Sequence, residues 1–113
     1  MTIEDISRII DGRIVTKPSE SRDVVYGFAS DLMSDVLTLT ADNVVLVTGL
    51  VSNQTIRTAA LADIAVVILV RNKKATRDLV KLAEDADIAL LECNSSMFKT
   101  AGLLYEAGLK AVY

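Results

Sequence analysis

The feature that most restricts this chain is an unbroken apolar run of seven residues, Ile64-Ala65-Val66-Val67-Ile68-Leu69-Val70. Crossing a bilayer as a helix takes about 20 apolar residues, so this run is far too short to span a membrane. A short stretch rich in β-branched residues, with no polar residue alternating through it, has the pattern of a central strand buried on both faces. Both faces must then be covered. Helices flanking a parallel sheet are the arrangement that does so.

The rest of the chain fits that arrangement. Residues 2–11 read as a helix with Ile3, Ile6 and Ile10 on one face, a capping-box-like start from Thr2 and Asp5, and Gly12 placed to stop it. An extended piece over 13–16 leads to a polar turn at Lys17-Pro18-Ser19-Glu20, which holds the only proline. From residue 24 onward strands and helices alternate. Strands are expected over 24–29, 43–48, 64–70 and 88–91, with a short final one within 109–113. Helices are expected over 31–37, 55–62 (Ile56, Ala59 and Ala60 inward), 76–86 (Leu79, Leu82, Ala83 and Ala86 inward) and 95–107. Ser95 or Ser96 caps the last of these and Gly108 stops it. The expected fold is a single α/β domain over residues 1–113, with a largely parallel sheet and flanking helices in two or three layers.

Composition narrows the function. Hydrophobic residues make up 51% of the chain but aromatic ones only 4%, so the core is aliphatic. The net charge is −3, and the only basic cluster is Arg71, Lys73, Lys74 and Arg77, which argues against a nucleic-acid partner. The first residues, Met1-Thr2-Ile3-Glu4-Asp5, lack the basic and apolar regions of a signal peptide, and one cysteine excludes an internal disulfide. A cytoplasmic setting without membrane association is expected. With no histidine in the chain, Ser-His-Asp and Cys-His catalysis, histidine bases and histidine metal ligands are all excluded. No metal, cofactor or catalytic residue is assigned.

In open α/β sheets, ligands bind beyond the carboxyl ends of the strands. The polar residues of this chain gather after those ends, and the candidate ligand-binding set is Asp31, Ser34, Asp35, Thr48, Asn53, Arg71 and Ser96. Helix starts near Asn53 and Ser95 offer free N–H groups to a small anion, with Arg71 or Lys73 adding charge. The same residue types are also ordinary helix caps and turn formers. Neither a phosphate loop nor a dinucleotide fingerprint occurs. Asp31 and Asp35, one helical turn apart, read as a Mg²⁺ or acid–base pair or as carboxylates offsetting a helix dipole. Cys93 reads as a small core residue. Tyr26, Phe28, Met33, Phe98 and Tyr105 read as core or dimer contacts.

Taken in order, "GRIVT" (12–16), "VVYGFASDLMSDVL" (24–37), "NVVLVTG" (43–49), "TAALADIAVVILV" (58–70) and "SSMFKTAGLLYEAG" (95–108) resemble the DRTGG domain family over nearly the whole chain. The resemblance implies a small α/β fold like the N-terminal domain of the histidine-containing-phosphocarrier (HPr) kinase/phosphatase. It also implies a regulatory or assembly-forming role, often as a dimer, in proteins that stand alone beside iron-only hydrogenase genes or are joined to CBS, phosphotransacetylase or pyrophosphatase modules. The Asp-Arg and Thr-Gly-Gly that name the family are not present literally. Their places read Gly49-Leu50-Val51-Ser52-Asn53, with Arg57 further on, and Val70-Arg71-Asn72-Lys73. No ligand tied to that signature is therefore carried over.

The leading expectation is a non-catalytic regulatory or protein-interaction domain, a homodimer, sensing a small anionic ligand or nucleotide at the rim. One alternative is an enzyme or enzyme subunit acting on a phosphorylated or nucleotide substrate through Asp35, Lys73 or Glu92. Another is an accessory scaffold docking on a protein partner in an iron-only hydrogenase system.

Overall fold

A computed structural model describes residues 1–113. The elements in chain order are α1 (Ile3–Ile9), β1 (Arg13–Thr16), β2 (Tyr26–Ala29), α2 (Met33–Val36), β3 (Val44–Thr48), α3 (Asn53–Leu61), β4 (Val66–Leu69), α4 (Arg77–Asp85), β5 (Ala89–Glu92), α5 (Met97–Glu106) and β6 (Lys110–Ala111). They build one six-stranded sheet in the order β1-β5-β4-β3-β2-β6. Strands β2 to β6 are all parallel; only β1, paired to β5, runs the other way.

Alternation along each strand sends side chains to two separate cores. Val45 and Val47 of β3, Val66 and Ile68 of β4, and Ala89 and Leu91 of β5 meet Ile3, Ile6, Ile10 and Leu104, which belong to the α1 and α5 side. Val44, Leu46, Val67, Leu69 and Leu90 meet Val36, Ile56, Ala59, Leu79 and Ala83 on the α2, α3 and α4 side. The domain is therefore three layers, and β3, β4 and β5 are buried along their whole length, as the apolar runs require. The connections from β2 to β5 all pass over one face. The last, through α5, crosses the other and returns the chain to β6 beside β2.

Several local expectations are corrected. Strand β2 starts at Tyr26, because Val25 and Tyr26 N–H both donate to the Asn43 carbonyl and the chain enters the sheet irregularly. Helix α2 is a single turn from Met33, with no side-chain cap on Leu32. At the end of α1, Asp11 rather than Gly12 takes the left-handed conformation, with φ 50°. Gly12 serves close approach instead, since a Cβ there would lie 3.0 Å from the Glu92 carbonyl oxygen of β5. In α3, Ala60 is exposed and Thr55 and Thr58 take buried places. Thr55 is satisfied there by donating to the Leu50 carbonyl at 2.7 Å. In α4, Ala86 is exposed, so the inward face ends at Ala83.

Candidate functional site

The four parallel strands β2, β3, β4 and β5 end on one edge, and the chain that follows each of them carries the candidate residues. After β2, Asp31 reaches across to the end of β3. Its Oδ1 accepts the Thr48 hydroxyl at 2.9 Å and the Gly49 N–H at 2.7 Å. Thr48 Oγ1 in turn accepts the Leu50 N–H at 3.2 Å. Thr48 is fully buried, so this clasp satisfies a hydroxyl that would otherwise be stranded in the core.

Asp31 lies ahead of α2, which begins at Met33, so Asp31 and Asp35 are not successive turns of one helix. Ser34 and Asp35 sit on that single turn with exposed side chains. No three carboxylates or thiolates come together in the structure as a metal-ligand cluster.

Asn53 is the first residue of α3, and Ser52 is its cap, accepting the Gln54 N–H at 3.1 Å. Ser96, not Ser95, caps α5 by accepting the Lys99 N–H at 3.1 Å. After β4, Arg71 and Asn72 both have positive φ, at 62° and 60°. This two-residue left-handed turn aims two N–H groups at the β5 loop, Arg71 to the Ser95 carbonyl at 2.7 Å and Asn72 to the Cys93 carbonyl at 3.0 Å. Those bonds join the ends of β4 and β5, whose onward chains leave toward opposite faces of the sheet. The structure thus unites Asp31 with Thr48, and Arg71 with the loop before Ser96. Ser34 and Asp35 stand apart on α2.

Glu92 is the site residue whose role the sequence did not disclose. It ends β5 with its side chain only 2% exposed. One carboxylate oxygen pairs with Arg13 of β1 at 2.5 Å, and Lys74 approaches the same oxygen at 3.9 Å. The other accepts the Ala75 N–H at 2.6 Å. Burial is the largest single influence and pushes this carboxyl up. The hydrogen bonds from Arg13 and Ala75, with the charges of Arg13 and Lys74, outweigh it and hold the group below its ordinary range. Glu92 is therefore a tie between β1, β5 and the start of α4. Of the three groups named for the enzyme alternative, Glu92 is engaged by Arg13 and Ala75, and Asp35 and Lys73 follow β2 and β4, which β3 separates.

Cys93 is buried beside Thr100, at 3.4 Å between Sγ and Oγ1. Of the larger side chains, Met33 is core, whereas Phe98 and Tyr105 are 78% and 70% exposed. They flank an apolar groove of about 420 Å³ between α5 and the β2–β6 side of the sheet.

No family model matches the chain, and no curated protein matches it. Solved structures do. One is the crystal structure of the CBS and DRTGG domains of the regulatory region of a Clostridium perfringens pyrophosphatase, complexed with the activator diadenosine tetraphosphate. The TM-score is 0.74 at 7% identity, covering 91% of the present chain and 45% of that one, so this chain spans about half the length of its structural neighbour. At that identity the likeness is one of fold, and it supports the DRTGG-like α/β architecture expected from the residues.

Proposed function

We propose that this chain is a regulatory or protein-interaction domain of the DRTGG kind, a single unit over residues 1–113 that works as a homodimer. We further propose that it senses a small anionic ligand, in the first place a nucleotide or other phosphate ester, at the edge where the parallel strands end. The observation that carries this reading is the basic loop after β4. Four of the chain's twelve basic residues fall between positions 71 and 77, and only Lys74 has an acidic partner. In a protein of net charge −3, that unpaired positive charge stands beside the N-termini of α4 and α5, whose dipoles also favour an anion.

The fold likeness adds support, since that neighbour is a regulatory region complexed with a dinucleotide activator. A role as a hydrogenase-associated scaffold rests on the resemblance alone and would share the same dimeric domain.

The test is thermal denaturation of the 113-residue chain with diadenosine tetraphosphate, ATP and inorganic phosphate, each titrated to saturation. Binding to the folded state raises the melting temperature with ligand concentration. The expected result is a saturable rise with at least one phosphate ester, its half-point moved at least tenfold by Arg71→Ala with Lys73→Ala. A flat response to all three ends the anion-sensing reading and leaves a domain that only docks.

A further inference from the structure

We propose that two copies of this chain associate through the outer face of α5, the helices running antiparallel and crossing at Gly102. This rests on the homodimer reading above and names its surface. Helix α5 presents Phe98, Gly102 and Tyr105 in one solvent-facing stripe, residues spaced four and three apart and so stacked on one side of the helix. Both aromatic rings are more than two-thirds exposed. Beside them lies the apolar groove, whose walls include the small residues Gly27, Ala29, Ala101, Gly102 and Ala111. Knobs on α5 and a hollow between α5 and the β2–β6 edge thus lie side by side on one surface.

Gly102 has no reason within the chain. It lies inside a ten-residue helix, and a Cβ added there would meet nothing within 4 Å. Glycine at an exposed helix interior is unfavourable relative to alanine. What it permits is close approach of another backbone.

The occupant that fits is a second copy, because each feature of the face has its complement on the same face. An antiparallel crossing at Gly102 brings Phe98 against the partner's Tyr105 and sets both rings over the small-residue hollow. The same crossing puts Lys99 beside the partner's Glu106. Neither Lys99 nor Glu106 forms an ion pair within the chain, so each is available for the other. Phe98 and Tyr105 alone would bury roughly 300 Å² per protomer, and with the groove walls the total approaches the roughly 1,000 Å² of a specific interface. Strand pairing is a poorer route. The free edges are β6, two residues long, and β1, interrupted by a register shift between Ile14 and Thr16.

Light scattering and sedimentation of the 113-residue chain across the micromolar range test this. Wild type is expected as a dimer. Phe98→Glu and Gly102→Leu should each raise the dimer dissociation constant at least tenfold with the circular dichroism spectrum unchanged. Leu61→Glu, at an exposed leucine on α3, should not. Lys99→Glu should weaken the dimer and adding Glu106→Lys should restore it. A wild-type dimer that survives both Phe98→Glu and Gly102→Leu overturns this face and leaves the homodimer standing. A wild-type chain that is monomeric throughout overturns both.

Discussion

Glu92 is the one carboxylate of the chain that lies almost wholly out of water, and its partners explain why that is tolerated. Arg13 supplies the charge, and the Ala75 N–H supplies a second, charge-assisted hydrogen bond. Arg13 is itself largely exposed, so solvent screens part of the pair and the ion pair alone is a modest stabiliser. Replacing Glu92 by Gln keeps an acceptor but removes the charge, and should cost about 1–3 kcal/mol in urea denaturation. The pH dependence has a fixed sign. Because the folded-state carboxyl titrates below its ordinary value of 4.5, the unfolded chain takes up the proton first. The stabilisation is whole above that value and is lost as pH falls through the lower, folded-state one. Asp5, lowered to about 2 by the Thr2 N–H and by Arg8, acts in the same direction. The difference between wild type and Glu92→Gln isolates the Glu92 share: it should be largest near neutrality and shrink below about pH 4.5. A difference that stays constant on acidification would mean that Glu92 carries no charge in the folded protein. None of this was legible in the residue order. Glu92 read as a polar residue after a strand and as a catalytic candidate of the enzyme alternative, and its partners Arg13 and Ala75 lie 79 and 17 positions away.

At the scale of elements, four helices end by one device. After α1, α3 and α4 a residue with φ near 50–60° follows the cap (Asp11, Asp63, Asp87), and after α5 the same place is taken by Gly108 at φ 109°. In each case the next N–H reaches back to close the turn, as from Ile64 to the Ala59 carbonyl at 2.8 Å and from Ile88 to the Ala83 carbonyl at 2.9 Å. The chain then enters the adjoining strand, so the turn sets where β4, β5 and β6 begin. Aspartate tolerates this conformation at some cost, and glycine does so freely. Asp63→Gly should therefore stabilise the domain by about 1 kcal/mol, the relieved left-handed strain less the extra chain entropy that glycine loses on folding. Asp87→Gly should not, because the Asp87 carboxylate also accepts the Ser19 N–H at 2.7 Å and the Ser19 hydroxyl at 3.0 Å. Paired melting curves of the two variants check this, and equal gains would show that the Ser19 contacts contribute nothing. The sequence displays these stops only in part. Gly108 is conspicuous, while the aspartates look like ordinary solvated charges, and Gly12 drew the stop of α1 one residue too late. The single turn α2 misled for a related reason: the acidic stretch from Asp31 to Asp35 has helical spacing, yet Asp31 is drawn out of it by Thr48.

For the molecule as a whole, the apolar runs carried most of the information. An unbroken run such as that from Ile64 to Val70 states that both faces are covered, and the alternation of runs with helical stretches states the parallel direction. What these patterns leave open is strand order and which helix lies on which face, since both depend on contacts between distant residues. The same limit applies to the site. Convergence of Asp31, Thr48, Arg71 and Ser96 on one edge follows from parallel strands, but the Asp31–Thr48 clasp and the Arg71–Ser95 link do not. The three layers share a single sheet, and this makes a claim about cooperativity. Ile68 and Leu69 are adjacent in β4 and fully buried, one in each core. Ile68→Ala and Leu69→Ala should each cost about 2–5 kcal/mol, a large share of the 5–15 kcal/mol typical of a domain. Yet neither core can come apart alone without exposing the opposite face of the same strands. Each variant should thus unfold in one transition, with far-ultraviolet circular dichroism and tyrosine fluorescence giving coincident midpoints and an unchanged dependence on urea. Two separated midpoints in the Ile68→Ala protein would show that the α1–α5 layer detaches while the α2–α3–α4 layer stays folded, and the shared sheet would then not be what couples them.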